Sequence, residues 1–410
     1  MTDGPENGAR APSGRIVAIL SSLMAFASIS TDLYLPALPT LVHALGGSQG
    51  SVELTLSGFL VGFSIGQLFW GPISDRYGRR RPILAGLLLF MIGSVGCALA
   101  GSVGQLIVWR VVQAAGACAG PVLGRAIARD LYGRDRSAQL LSTLMLVMGI
   151  APLLGPLIGG QILGFGSWRL IFWFLVAVGA AVAGAVLLLP ETLPVERRST
   201  APLGTVIGNY AVMVRSPRIM GYAVASGFYY AGIYAYLAGT PFAYISYYHV
   251  PASAYGLLFG VGIVGQMLLA VLNTFFVMRL GSDRMLSWGA MLVAFSGVWT
   301  GVASWSGVGG LPGLVVPLFF FISANGLFTA NAVAGALAVE PEQAGATSAF
   351  VGAIQFGSGV FGSAVVGWLA DGTPRPMGLV IAIVGLGSLL ATMFTIRRNE
   401  AAGNRFGASG

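Results

Sequence analysis

Gly71-Pro72-Ile73-Ser74-Asp75-Arg76-Tyr77-Gly78-Arg79-Arg80-Arg81-Pro82 joins two apolar runs, 52–72 and 82–100. A spanning helix needs about 20 apolar residues, and each run has about that length. Four arginines packed between two such runs read as a hairpin through a bilayer, turning at its basic, cytoplasmic face. Gly71 and Gly78 allow close approach and tight turning. Asp75 is placed to cap or neutralise a helix N-terminus while the arginines stay at the interface.

The rest of the chain supports that reading. It has 410 residues, of which 56% are apolar and only 9% charged. Soluble chains carry about 25% charged residues, so a soluble fold is excluded. The 61 glycines show no triplet period, which excludes collagen. All 22 basic residues are arginine, and the net charge is +8. They cluster between apolar runs rather than on a basic face interleaved with stacking aromatics, so no nucleic-acid partner is expected. Cys97 and Cys118 lie inside apolar runs and His43 and His249 in loops or at helix ends, without metal-ligand spacing.

Twelve spans are expected: 16–38, 52–72, 82–100, 104–126, 137–163, 170–190, 219–241, 255–278, 285–306, 311–336, 345–370 and 376–396. With the N-terminus in the cytoplasm, 19 of the 22 arginines fall in cytoplasmic segments, among them Arg10, Arg134, Arg136 and Arg405, and only Arg169 and Arg375 fall outside. The positive-inside rule therefore puts both termini in the cytoplasm. The fold expected is an all-α membrane protein of two six-helix bundles. Its parts are an N-terminal bundle, 1–190, a Pro- and Arg-containing linker, 191–218, and a C-terminal bundle with a short tail, 219–410. Phe59, Gly62 and Gly66-Gln67 are echoed by Phe259, Gly262 and Gly265-Gln266, and Asp75-Arg76 by Asp283-Arg284, a repeat of about 200 residues.

Asp32 is the acid read as lying well inside a span, and Arg110 the base. Each costs at least about 2.5–3.5 kcal/mol at a helix centre, so such groups face an aqueous cavity or one another. Asp32 is the candidate proton carrier. Tyr34, Gln113, Tyr230, Tyr234, Gln266, Asn325, Asn331 and Gln355 are the candidate substrate contacts, as aromatic wall and intramembrane hydrogen-bonding groups. Met145 and Met148 suit a promiscuous pocket or plain packing.

The 71–82 loop, with its ordered G-x-x-[SA]-D-R-x-G-R-R string, resembles the signature loop of the major facilitator superfamily. Arg110, Gln113 and Gly116 resemble its fourth-helix motif, with Ala114 in place of a glycine. Gly149, Gly155-Pro156 and Gly159-Gly160 resemble its antiporter motif, with two extra residues that include Pro152. Ser30 to Pro39 and Arg125 to Tyr132 resemble the bicyclomycin-resistance (Bcr/CflA) drug exporters. The resemblance implies proton-coupled export of small drug-like molecules by alternating access in a bacterial cytoplasmic membrane. It implies a monomer with no cofactor beyond the proton gradient. Proton and substrate would compete at Asp32 and Arg110 would assist. Gly71, Asp75, Arg76, Gly78, Arg79 and Arg80 would form the cytoplasmic gate. The alternative is a metabolite transporter, of an amino acid or a sugar, on the same fold. An enzyme is not expected, because the membrane interior offers one Asp, one Arg and no catalytic cluster.

Overall fold

The computed structural model describes residues 14–131, 134–199, 213–340 and 344–407, without the side chains of 27, 134–139, 141, 142, 145–147 and 399–407. Arg10, Tyr132, Pro202 and the linker centre 200–212 lie outside the described residues, as do the side chains of Arg134, Arg136, Met145 and Arg405.

Helices occupy all twelve expected spans, and three spans are interrupted. The first is α1 (Gly14–Asp32), a 3-10 turn (Leu35–Ala37) and α2 (Leu38–Ala44). Then come α3 (Gln49–Tyr77), α4 (Arg80–Leu99), the pair α5 (Val103–Ala117) and α6 (Ala119–Leu131), α7 (Arg134–Gly164) and α8 (Arg169–Leu187). The second half is α9 (Pro217–Pro241), α10 (Ala252–Leu280), α11 (Ser282–Ser306), the pair α12 (Gly310–Ser323) and α13 (Asn325–Val339), α14 (Ala344–Trp368) and α15 (Arg375–Gly407). Among the described residues, ten helical stretches are long and apolar enough to cross a membrane. Pro217–Pro241 is not among them: its five tyrosines lower its hydropathy, and most of it is buried between other helices.

Local chemistry explains the boundaries. Ser48 and Ser102 cap α3 and α5 by accepting from the backbone N–H groups of Ser51 and Gln105. Gly78 (φ +87°) ends α3, and its counterpart Gly281 (φ +81°) ends α10. Both need the left-handed half of backbone space that glycine enters freely. Pro36 cannot donate to the carbonyl of Asp32, nor Pro121 to that of Ala117, so the first and fourth helices break there. The tenth breaks at Ala324, the same place in its own half.

The repeat is visible in the packing. Gly62 and Gly66 let α3 sit against α5 and Cys118: a Cβ would lie 2.2 Å from the Val111 carbonyl oxygen and 2.2 Å from the Cys118 sulfur. In the other bundle Gly262 and Gly265 face Ile322 and Ser323, beside the break in the tenth span.

The two bundles meet along two seams. In one, α3 lies on α14: Ser57 hydrogen-bonds Ser363 (2.7 Å), and Ser64 donates to the carbonyl of Ala353 (2.9 Å). In the other, α7 lies on α10, where Gly160 faces Ala252 and Gly256 faces Leu157. The end of the molecule carrying 33–52 is further closed by the turn after α1, which touches α9 and α10. At the arginine-rich end, α6 and α13 make no comparably extensive contact among the described residues.

Candidate functional site

Asp32 is the last residue of α1, and it is buried. The helix ends there because Pro36 follows, and Tyr34 and Ala37 carry the chain around through backbone bonds to Thr31 and Tyr34. The break is packed directly onto α7. A Cβ on Gly155 would lie 2.7 Å from that of Asp32, and one on Gly159 would lie 2.0 Å from the carbonyl oxygen of Leu33. Two antiporter-motif glycines therefore form the bed on which the acid rests. Gly160 turns the other way, to Ala252 across the seam, while Gly149 has room, with Met267 Cγ 4.0 Å away. Pro152 and Pro156 lie inside α7. Asp32 is also within electrostatic reach of Tyr234, Tyr236 and Tyr255 of the second bundle.

Arg110 is fully buried and, among the described residues, forms no ion pair. Its Nη1 donates to the carbonyl of Ser30 (3.2 Å) and to Gln113 Oε1 (2.6 Å), and Gln113 donates on to Ser94 (2.8 Å). The guanidinium lies 4.5 Å from the ring centre of Tyr34 and 4.3 Å from that of Phe59. Tyr34 is held in turn by Thr55 (2.8 Å). Aromatic faces are a favourable seat for a desolvated guanidinium. Nε and Nη2 have no hydrogen-bond partner among the described residues. Of the two arrangements expected for buried charges, direct pairing of Asp32 with Arg110 is not the one found. Arg110 instead grips the backbone two residues before Asp32.

The substrate candidates divide into two groups. Tyr34 and Gln113 belong to the Arg110 network. Tyr230 and Tyr234 frame Phe356 at 6.0 and 6.1 Å, and Phe356 meets Phe63 of the first bundle at 4.4 Å. Beside them Gln355 is buried, and its Nε2 has no partner among the described residues. This aromatic cluster lies at the seam between the bundles, near Gln67, which faces Gly352. Of the others, Asn331 and Asn325 are tied up within the second bundle. Asn331 donates to Asn273 (2.8 Å) and to the carbonyl of Leu327, joining α13 to α10. Asn325 accepts from Thr329. Gln266 is half-buried on α10. Tyr229, next to Tyr230, points into the core and donates to the carbonyl of Phe321. A cavity of about 430 Å³ between α9, α14 and α15 is apolar, and two of its walls, Phe361 and Ile383, are 73% and 58% exposed. It opens on the perimeter, away from Asp32.

The basic loop is a latch centred on Arg79. Its guanidinium pairs with Asp75 (2.6 Å) and Asp130 (2.7 Å) and donates to Ser74 (2.6 Å). Burial opposes the charge, but the two carboxylates outweigh it and hold the Arg79 pKa above its ordinary value. Glu191, at the start of the linker, accepts from the backbone N–H groups of Arg79 (2.7 Å), Arg80 (3.1 Å), Thr192 (3.0 Å) and Leu193 (3.1 Å). Partial burial works against its charge, yet these four donors hold the carboxyl below the ordinary range. Arg80 donates to the carbonyl of Leu187. Arg76 stays outside the latch, over the exposed Tyr77 ring, and a Cβ on Gly71 would meet open space. Asp130 and Glu191 stand in the sequence as ordinary interface and linker acids, and no local pattern marks them as partners of Arg79. In the second half the equivalent acid, Asp283, is taken by Tyr222 (2.8 Å).

The sequence pattern described as Major Facilitator Superfamily matches residues 20–245. A bicyclomycin resistance protein homolog of Haemophilus influenzae is 32% identical over 93% of this chain and 96% of its own length. The chain belongs to the Major Facilitator Superfamily. This major facilitator is also similar to multidrug resistance protein D of Escherichia coli, 29% identical over 90% of this chain and 93% of that protein. Its fold matches a partially occluded inward-open structure of the xylose transporter XylE from E. coli with a TM-score of 0.75, at 18% identity over 93% of this chain and 97% of that one. The human organic anion transporter MFSD10 matches at 0.71 and 17% identity, covering 94% and 100%. The protein is thus a multi-pass membrane transporter with a small-molecule substrate, and not an enzyme.

Proposed function

We propose that this major facilitator exports small drug-like molecules in exchange for protons. It would work as a monomer in a bacterial cytoplasmic membrane, with both termini and the Arg79 latch on the cytoplasmic side. Residues 1–190 and 219–410 would be the two rocking bodies and 191–218 their tether. The proton gradient would supply the energy. One observation carries the reading: a buried acid sits at a helix break, bedded on Gly155 and Gly159 and within electrostatic reach of tyrosines of the opposite bundle. Rocking the bundles changes what faces that carboxyl. A carboxyl opened alternately to two sides takes a proton from one and yields it to the other. A drug bound against Tyr230, Tyr234 and Phe356 displaces the proton when it makes better contacts with the charged form. Arg110 holds the backbone at Ser30 and so positions the break. The relatives' names, bicyclomycin and multidrug resistance, favour drugs over metabolites as cargo.

The test is Asp32→Asn in sealed everted vesicles. Drug-dependent proton movement is expected to vanish while the protein stays folded. Undiminished pH-driven efflux refutes the assignment. Counter-flow of a labelled amino acid or sugar by the unaltered protein would move the cargo to the metabolite class.

A further inference from the structure

Glu53 is a second buried acid, and it has no place in the mechanism above. It lies one turn into α3, is fully buried, and faces the other bundle. Its Oε1 accepts from Gln49 (2.8 Å), a neutral donor on its own helix. Its Oε2 has no hydrogen-bond partner among the described residues. The surface against it is α14 at Gly367, where a Cβ would lie 3.3 Å from Oε2 and 2.9 Å from the carbonyl oxygen of Gly50. A Cβ on Gly50 would lie 2.0 Å from the carbonyl oxygen of Gly367. Two glycines thus bring the bundles' backbones together over the carboxyl.

Among the described residues no cation pairs with it, and no ionisable group, His43, Asp371 and Arg375 included, contributes an electrostatic interaction to Glu53. A charge placed there would lose its water and gain one neutral amide donor, so the group carries a proton instead. If the seam parts at Gly50 and Gly367, water reaches the carboxyl and the charge becomes affordable. Asp32 lies on a different helix, against α7, so the two acids are governed by different contacts.

We propose that Glu53 is a proton-operated lock on the outer end of the seam between the bundles, binding a proton from the outside when that end closes and returning it to the same side when it opens. The assignment of this end as outer rests on the orientation proposed above. Such a proton is not carried across the membrane. It makes the outer gate close more readily as the outside becomes acidic, and a drug exchanger then spends longer open to the cytoplasm when the inward proton gradient is large. Linkage sets the size: one proton taken up on closing shifts the closed-to-open ratio by at most about tenfold per pH unit.

The experiment measures the outer end directly, in the full chain reconstituted in nanodiscs. Spin labels go on Gly104→Cys and Val308→Cys, which are exposed, after Cys97→Ala and Cys118→Ala. Distances are read by pulsed electron resonance from pH 5 to 8. All chains also carry Asp32→Asn, so that titration of Asp32 contributes nothing. The expected result is a closed population that grows as pH falls, and that is high and independent of pH once Glu53→Gln is added. A pH response that survives Glu53→Gln overturns the proposal, and so does a flat response before it. If Glu53→Gln alone abolishes drug-driven proton movement in vesicles while the outer end still follows pH, Glu53 is a carrier rather than a lock. Failure of the Asp32 assay leaves this readout intact, because the distances report the seam whatever the cargo.

Discussion

Gly159→Ala isolates the contact on which the transport reading rests. The new methyl would lie 2.0 Å from the Leu33 carbonyl oxygen and 2.9 Å from its carbon. Ordinary contact begins at 3.4 Å, so α7 and the turn after Asp32 must separate by about 1.4 Å, and the obstacle is backbone rather than a flexible side-chain tip. Overpacking of this kind costs about 1–3 kcal/mol, against about 1 kcal/mol gained from replacing a helical glycine by alanine. The net cost is up to about 2 kcal/mol, or a factor of up to about 30 in any equilibrium that needs the contact. Gly149→Ala is the internal control. It lies on the same helix, its Cβ would come no closer than 4.0 Å to Met267, and only the propensity gain applies. Efflux of a fluorescent drug from vesicles and thermal unfolding in detergent are measured on both. Gly159→Ala is expected to transport at a small fraction of the unaltered rate and to melt lower, and Gly149→Ala to match or exceed the unaltered protein in stability. Equal behaviour of the two variants would show that the motif glycines are not there to seat Asp32.

The latch makes a similar paired prediction. Arg79→Ala breaks two ion pairs, and because the Asp75 side chain is half exposed the cost falls at the low end of about 1.5–3 kcal/mol. Arg76→Ala should change stability by no more than about 0.5 kcal/mol; thermal unfolding distinguishes them. Glu191→Gln should free the start of the linker, read as faster tryptic cleavage after Arg197 or Arg198 at neutral pH. In the unaltered protein the Glu191 pKa is lowered, so its clasp is complete above the ordinary carboxyl value of about 4.3 and is lost only as pH falls through the lowered one. Cleavage susceptibility should therefore be flat from pH 8 to 5. Arg110→Ala should lower transport as far as Asp32→Asn does; a wild-type rate in vesicles would make it a packing residue.

Hydropathy is a property of consecutive residues, and so the twelve spans, the repeat and the basic loop were legible without coordinates. So were the breaks in principle: Pro36 and Pro121 announce them, although a run of apolar residues hides a lost backbone bond. The family strings located Asp32, Arg110 and Arg79 because those residues recur in fixed local order. Their partners were not legible. Arg79 meets Asp130 51 positions away and Glu191 112 away through its backbone. Asn331 and Tyr34, expected as cargo contacts, are held by Asn273 and Thr55.

Glu53 shows the limit most plainly. In the sequence it opens a span, where an acid in headgroup water needs no explanation. In the structure it is buried, with Gly367, more than 300 residues later, packed against it. What the amino-acid order determined by itself was which segments enter the bilayer, because transfer from water to lipid is paid residue by residue. Which charges end up dry, paired or poised to move a proton was decided by the tertiary structure, because the electrostatic cost of an ion depends on everything packed within a few ångströms of it, whatever its distance along the chain.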